Sequence, residues 1–435
     1  MIEDSGIAIR RQLGHEPALD GIRGIAVLLV AFWHYPDAIL DRKLEWMKAG
    51  HLGVDLFFVL SGFLITALML KEFDHSSKIS FRGFYRRRVF RLLPALVVFL
   101  TAHFLWALST DLSNGLFAPG TELRDEIATI IGALLFSLNL IHHFGDYQAT
   151  RGAAHLWSLA VEEQFYFIWP LLTAGLLSQA RRHFFYVTAA TALVVATAGY
   201  YYANGLLGLP QAQGFYSAIA LGLCVFLLLA LLHAQELGIR ALAVLGALIL
   251  AVLLYRFGVF EAGSISSIMS LYSTLPARAD SLIAGAALAY LWVNDYVPRR
   301  CHTAISLIAW AIFAWCVASF TLLDSFFFEF GWTITAVCGA LIIWGSLGAQ
   351  DTVYGRVLSL RWLRGIGKVA YGLYLWHVLV FLAVKHWFGD ESIVLKTILA
   401  VSITAGVTAA SWFLVERPML AYKSSRRPKN AISEK

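Results

Sequence analysis

The chain has 435 residues, of which 59% are hydrophobic and only 14% charged, and its mean hydropathy is +0.68. Soluble domains carry about 25% charged residues, so a water-soluble fold could not cover its surface with so few charges. The composition therefore predicts a polytopic protein of the lipid bilayer. It excludes a disordered chain, a coiled coil and a nucleic-acid-binding protein, despite a pI near 9.1.

Thirteen apolar runs are long enough to cross ~30 Å of hydrocarbon as helices. They are too long for strands and do not alternate, which predicts an all-α transmembrane helix bundle. Residues 1–17 are polar and charged, so no cleavable signal is expected. The runs are 20–39, 52–70, 90–110, 127–143, 158–179, 184–203, 216–233, 239–257, 277–295, 303–322, 331–348, 370–388 and 393–415.

Charge asymmetry predicts the orientation, because cytoplasmic connections are rich in Lys and Arg. Basic clusters occupy the head, the 71–91 connection and the tail, whereas the 258–276 connection offers only a glutamate. Both termini are then cytoplasmic, which requires an even number of crossings. Removing the marginal run 127–143, which ends in two histidines, places every basic cluster inside. We therefore predict twelve crossings, with 127–143 re-entrant or flat at the outer face.

Ionisable side chains within spans are costly and usually face the bundle interior. In the first span Arg23 lies near the cytoplasmic end, and His34 lies eleven residues, about 16 Å, higher. His34 is a candidate base for a hydroxyl proton, although a lone membrane histidine is more often a packing group. In the second span Asp55 falls at a comparable depth and either orients an imidazole or caps the helix, while Ser61 lies near mid-membrane.

The cytoplasmic connection reads FYRRRVFRLLP, in which Arg88 and Arg91 share one helix face. Two guanidinium groups on one face can clamp the phosphates of a nucleotide-containing donor, and Arg86 and Arg87 belong to the same basic group. The simpler alternative for all four is topological anchoring.

The fifth run contains adjacent carboxylates, Glu162 and Glu163, which the predicted topology places in the outer half. Adjacent helical residues point about 100° apart, so at most one of them can face a given site. Two intramembrane carboxylates favour a functional role over a packing role.

Four further residues are weaker candidates for substrate binding, together with Ser61. Arg278 and Asp280 lie at the outer mouth of a predicted span, and Tyr374 and His377 are predicted in the inner half of another. Tyrosines are common in interfacial belts, which favours a structural reading for the second pair. The four cysteines form no CxxC pair, so neither a disulfide framework nor a zinc site is indicated, and the expected chemistry requires no metal.

Taken in order, these segments resemble the acyltransferase 3 family of integral membrane acyltransferases. The resemblance covers residues 19–418 and implies a ten-helix core that moves an acyl group, usually acetyl from acetyl-CoA, onto a hydroxyl of an exported glycan or a secondary metabolite. It implies that Arg23 and His34 are the family's arginine–histidine pair and that Arg88 and Arg91 are its cytoplasmic arginine pair. The matching strings are LDGIRGIAVLLVAFWH, GVDLFFVLSGFLIT, FYRRRVFRLLPAL, HLWSLAVEEQFYFIWP, RADSLIAGA, YGLYLWH and ERP.

The runs 216–233 and 239–257 exceed the ten-helix plan, and ten plus two agrees with the predicted twelve. The expected organisation is a cytoplasmic segment 1–19, a membrane domain 20–418 with an inserted helix pair at 216–257, and a basic cytoplasmic tail 419–435. The esterase-like domain that some relatives append is not expected here.

The resulting hypothesis is an O-acyltransferase of the cytoplasmic membrane that uses acyl-CoA from the cytoplasm and a carbohydrate or glycolipid acceptor. His34 would be the base, with Glu163 or Asp55 fixing its tautomer, and Arg23, Ser61 or a tyrosine would stabilise the oxyanion. Two alternatives stay open: acyl transfer to a macrolide or lipid on the cytoplasmic side, and a transporter or flippase without acyl transfer.

Overall fold

The computed structural model describes residues 11–40, 47–111, 123–144, 152–177, 245–253, 255–256, 271–322 and 324–425. Within these ranges the protein is all-helical and has no strand, as the long apolar runs predict. The runs 184–203 and 216–233, most of 239–257 and the end of the basic tail lie outside the described residues.

Fourteen α-helices lie wholly within the described residues, and residues 245–253 and 255–256 are helical as well. The first six are α1 (Pro17–Tyr35), α2 (Gly53–Ser76), α3 (Phe81–Asp111), α4 (Leu123–Leu134), α5 (Leu138–Phe144) and α6 (Trp157–Leu177). The other eight are α7 (Leu275–Val293), α8 (Thr303–Ser319), α9 (Trp332–Ser346), α10 (Val353–Leu358), α11 (Arg361–Lys368), α12 (Ala370–Trp387), α13 (Ile393–Ser411) and α14 (Arg417–Ser425).

Local sequence signals explain several of these bounds. α1 begins at Pro17, whose fixed φ suits the first helical turn, and ends immediately before Pro36. α2 ends where Ser77 adopts a left-handed φ of 53° and donates its backbone N–H to the Phe73 carbonyl. Ser392 caps α13, because its side chain accepts a hydrogen bond from the Leu395 N–H.

The predicted apolar run 127–143 is not a single helix. α4 ends at Leu134, Phe136 adopts a positive φ of 51°, and α5 begins at Leu138. The two helices have 12 and 7 residues, and at 1.5 Å per residue neither can cross ~30 Å of hydrocarbon. The break agrees with a segment that enters or lies on the bilayer without crossing it.

Several helices establish a multi-pass membrane protein. Among the described residues, five helical segments are long and apolar enough to cross, and α11 with α12 would form a sixth span bent by 75°. The count of twelve crossings and the orientation of the termini stay predictions. The five segments are Pro17–Leu40, Gly50–Ser76, Phe81–Ser109, Phe327–Ser346 and Ile393–Ala421.

α2 lies at the centre of the bundle, in contact with α1, α6, α7 and α9. Its closest neighbour is α7, where two glycines bring the backbones together. A Cβ on Gly62 would lie 1.9 Å from the Leu282 carbonyl oxygen, and one on Gly285 would lie 1.9 Å from the Val59 carbonyl oxygen. Small residues permit such approach between membrane helices, which makes this crossing a main packing contact.

We expect Gly62→Leu to lower the free energy of unfolding by about 3 kcal/mol, because its side chain would force α2 and α7 apart. Thermal or denaturant unfolding of the purified protein in detergent measures the change. Gly406→Leu is the matched control, since Gly406 on α13 has nothing within 4 Å of a built Cβ. Equal stability of the two variants would contradict the close crossing.

Candidate active site

The first element of the site is His34, which stands in the last turn of α1, eleven residues beyond Arg23. Its ring is half-buried, and its Nδ1 lies 3.0 Å from the carbonyl oxygen of Val30. The imidazole is therefore hydrogen-bonded through its Nδ1 to the backbone of its own helix.

Three imidazoles meet at this point and form the histidine cluster, consisting of His34, His155 and His377. The ring centroids of His34 and His377 are 5.0 Å apart, those of His155 and His377 are 5.2 Å apart, and those of His34 and His155 are 6.3 Å apart. The Nε2 of His377 lies 3.1 Å from the Nδ1 of His34. His155 is not among the predicted site residues, because it stands two residues before α6 and outside the predicted apolar run. The signal that could have indicated it is its place as the first residue of the matching string HLWSLAVEEQFYFIWP.

His377 lies beside His34, so the two residues do not occupy opposite halves of the bundle as predicted. A 75° bend separates α11 from α12. α11 packs across the first turns of α1, where a Cβ on Gly367 would meet the Asp20 carbonyl oxygen. α12 then packs against α1 and brings His377 to His34.

A second group, the arginine cluster, contains Arg23, Arg88 and Arg91. Arg91 lies close enough to the other two for their charges to act on it. Arg23 pairs with Asp20 at 2.9 Å, whereas Arg91 is exposed and has no hydrogen bond or ion pair with any described residue.

The remaining two arginines of the basic motif do not join this cluster. Arg86 and Arg87 are exposed on α3, and Arg87 lies 3.4 Å from a carboxylate oxygen of Glu72 at the end of α2.

The adjacent carboxylates of α6 belong to the arginine cluster, not to the histidine cluster. Glu163 lies 3.7 Å from Arg88, whose guanidinium also stacks 3.5 Å above the ring of Tyr166. Glu162 accepts hydrogen bonds from the hydroxyls of Ser61 and Tyr166, each at 2.5 Å. The 100° offset between adjacent helical residues gives the two carboxylates different partners, and neither touches His34.

Asp55 also has a partner other than His34. Both of its carboxylate oxygens contact a guanidinium nitrogen of Arg278, at 2.7 and 2.8 Å, and Ser281 donates to one of them at 3.0 Å. Asp55 and Arg278 are fully buried. The expected pairing of His34 with Asp55 or Glu163 is therefore not found among the described residues.

A neighbouring buried pair extends this network along α7. Asp280 lies 2.9 Å from Arg256 and accepts a hydrogen bond from Thr333 at 2.5 Å. The Arg278 guanidinium lies 4.2 Å from the ring centre of Trp332. Arg278 and Asp280, predicted at an outer mouth, thus occupy a fully packed interior that binds α2, α7 and α9 together.

The histidine and arginine clusters are joined by α6 and α12. On α6, Ser158 hydrogen-bonds the hydroxyl of Tyr374 at 2.5 Å, and Glu162 follows one turn later in the arginine cluster. On α12, Tyr371 donates to the Leu92 carbonyl of α3 at 2.9 Å, and Tyr374 and His377 follow in successive turns. The polar residues therefore form one column from Arg91 to His34.

No group of three or more His, Cys, Asp or Glu side chains suited to a metal ion occurs among the residues that the structure describes. This column contains imidazoles that can accept a proton and guanidinium groups that can bind an anion. Such a set fits proton abstraction beside a phosphate-bearing cosubstrate.

The fold and the column define a class of protein: a multi-pass helical membrane protein with an imidazole site inside its bundle. The sequence pattern of the acyltransferase 3 family, an acyltransferase domain, matches residues 16–300. Because this is well over half of the chain, the protein belongs to that family.

Several curated relatives resemble the chain over 93% of its residues. They include YrhL of Bacillus subtilis at 26% identity, the O-acetyltransferase OatA of Staphylococcus aureus at 25%, and the peptidoglycan O-acetyltransferase OatA of Listeria monocytogenes at 26%. The chain spans about half the length of these relatives, 54%, 57% and 55% respectively. No solved structure matches the chain.

We expect Asp55→Ala and Arg278→Ala each to lower the free energy of unfolding by about 3–5 kcal/mol, because either change leaves a buried charge without its partner. The double variant should lose less than the sum of the two. Denaturant titration of the purified protein measures the cycle, with the exposed Asp390→Ala as control. Strict additivity of the two losses would contradict a structural pair.

Proposed function

We propose that the protein is a membrane O-acetyltransferase that moves an acetyl group from cytoplasmic acetyl-CoA to a hydroxyl of an exported cell-wall carbohydrate. The observation that carries the proposal is the polar column, which connects unpaired guanidinium charge at one end to a half-buried imidazole at the other. The relatives named O-acetyltransferases and peptidoglycan O-acetyltransferases support this acceptor class.

The proposed topology has twelve crossings with both termini in the cytoplasm. The distribution of basic and acidic connections supports it, as does the broken helix pair at 123–144. In this orientation the arginine cluster faces the cytoplasm, and the histidine cluster lies toward the outside.

The arginine cluster fits the phosphate groups of coenzyme A. Arg91 is exposed and free of any described partner, so it can bind an anion without breaking an existing pair. Arg88 is held in place by Glu163 and the Tyr166 ring, which fixes the direction of its guanidinium. The ~16 Å rise from Arg23 to His34 is a distance that the extended pantetheine arm can bridge.

His34 acts as the general base in this proposal. It takes the proton of the acceptor hydroxyl while that oxygen attacks the thioester carbonyl carbon. A carbon–oxygen bond forms, the carbon–sulfur bond breaks, and the proton passes from His34 to the departing thiolate to give free CoA. Holding two substrates from opposite sides of the membrane in one geometry supplies part of the rate.

We expect His34→Ala to lower acetyl transfer about 10³-fold, since the reaction loses its base. Transfer of radiolabelled acetyl from acetyl-CoA to soluble peptidoglycan fragments by the reconstituted protein measures the effect. His75→Ala, which changes an exposed histidine at the end of α2, is the control. Undiminished transfer in a folded His34→Ala protein would refute the proposed base.

We expect Arg91→Ala to weaken acetyl-CoA binding about 10-fold or more, because one charge-assisted hydrogen bond is lost. Adding Arg88→Ala should weaken binding further. Isothermal titration with acetyl-CoA measures both, and Arg82→Ala, an exposed arginine at the start of α3, is the matched control. An affinity equal to that of the control would rule out the clamp.

The proposed topology predicts that cysteine tags at residues 144–150 react with a membrane-impermeant reagent added outside the cell. Labelling that requires permeabilised cells would show that this connection is cytoplasmic and would overturn the orientation.

A further inference from the structure

We infer that His377 is a positioning residue that fixes the tautomer of His34 and leaves the Nε2 lone pair of His34 free for the acceptor hydroxyl. The catalytic role of His377 rests on the proposed function. The position of the hydrogen on the His34 ring does not depend on that function.

The tautomer of His377 follows from its neighbours. Its Nδ1 lies 2.8 Å from the Tyr374 carbonyl oxygen and 3.1 Å from the Leu373 carbonyl oxygen. Carbonyl oxygens only accept, so Nδ1 must carry the hydrogen, and in the neutral ring Nε2 carries the lone pair. The side chain is fully buried, so this lone pair needs a donor from the protein.

His34 supplies that donor. Its Nδ1 lies 3.1 Å from the His377 Nε2 and 3.0 Å from the Val30 carbonyl oxygen. Both neighbours are acceptors, so His34 carries its hydrogen on Nδ1 and shares it between them. The lone pair of neutral His34 is therefore on Nε2, a nitrogen with no hydrogen bond to any described residue, in a ring that is half-buried.

This arrangement performs the task for which the sequence suggested a carboxylate. A charged carboxylate in the apolar interior would need further partners, as Asp55 has in Arg278. A neutral imidazole that is already bonded to its own helix backbone needs none. When His34 becomes positively charged, the Nδ1–H bond to His377 strengthens, because the donor is then ionised.

The surroundings of the pair contain no described carboxylate that could replace His377. The groups that face the pair are His155 and Tyr374, with His51 beyond the ring of Trp33. The Tyr374 hydroxyl hydrogen-bonds Ser158 and the His155 carbonyl oxygen, both at 2.5 Å, and not His34.

The variants that test the inference are His377→Phe, which keeps the ring and removes the lone pair, and His377→Gln, whose amide oxygen can accept the hydrogen bond again. We expect His377→Phe to lower kcat roughly 10- to 100-fold with the KM for acetyl-CoA unchanged, and His377→Gln to regain most of that loss. His386→Phe, exposed near the end of the same helix, is the matched control.

Histidine ¹⁵N NMR of the reconstituted full chain provides a readout that does not depend on activity. The His34 signals, assigned by comparison with His34→Asn, should show a protonated Nδ1 and an unprotonated Nε2 in the parent protein. His377→Phe should shift this population toward the other tautomer.

The outcomes separate the two proposals. A parent protein that shows the expected tautomer but transfers no acetyl group refutes the proposed function and leaves the assignment of the proton standing. A parent protein with the hydrogen on Nε2 overturns the inference, whatever the activity. An active His377→Phe variant with unchanged kcat, or a His377→Gln variant no better than His377→Phe, overturns it as well.

Discussion

A polar group inside an apolar bundle must find a partner there, and this constraint governs the interior of the protein. Asp55 is fully buried and paired with Arg278, and Glu163 is paired with Arg88. Two polar groups of the column have no such partner. Arg91 has no hydrogen bond or ion pair with any described residue, and the Nε2 of His34 has no hydrogen bond to any described residue. The unpaired groups at the two ends of the column are the ones that the proposed chemistry uses.

The same constraint separates packing from chemistry among residues that look alike in the sequence. Asp55 and Glu163 are both carboxylates within predicted spans, and the sequence offered both as partners of His34. Asp55 joins α2 to α7, where the backbones already approach through Gly62 and Gly285, and its removal would cost stability. Glu163 instead pairs with Arg88, so in the proposed function its effect would pass through that arginine.

The histidine cluster shows a second way to satisfy polar groups without charge. His377 bonds to the carbonyl oxygens of its own helix and presents its remaining nitrogen to His34. Such a chain of neutral donors and acceptors avoids the desolvation of a carboxylate, and it fixes the direction of each proton. A 75° bend precedes α12, the helix that carries His377.

The sequence by itself determined the membrane class and the all-helical fold, since these depend on composition and on the length of apolar runs. It singled out the run 127–143 as one predicted not to cross the bilayer. It also selected His34, Arg23, Arg88 and Arg91, because charged residues in such runs are costly and therefore rare. Only the tertiary structure decided which polar side chains pair with each other. Depth along a predicted span gives height but no rotation and no bend, so the partners Asp55–Arg278 and His34–His377 required the packed helices.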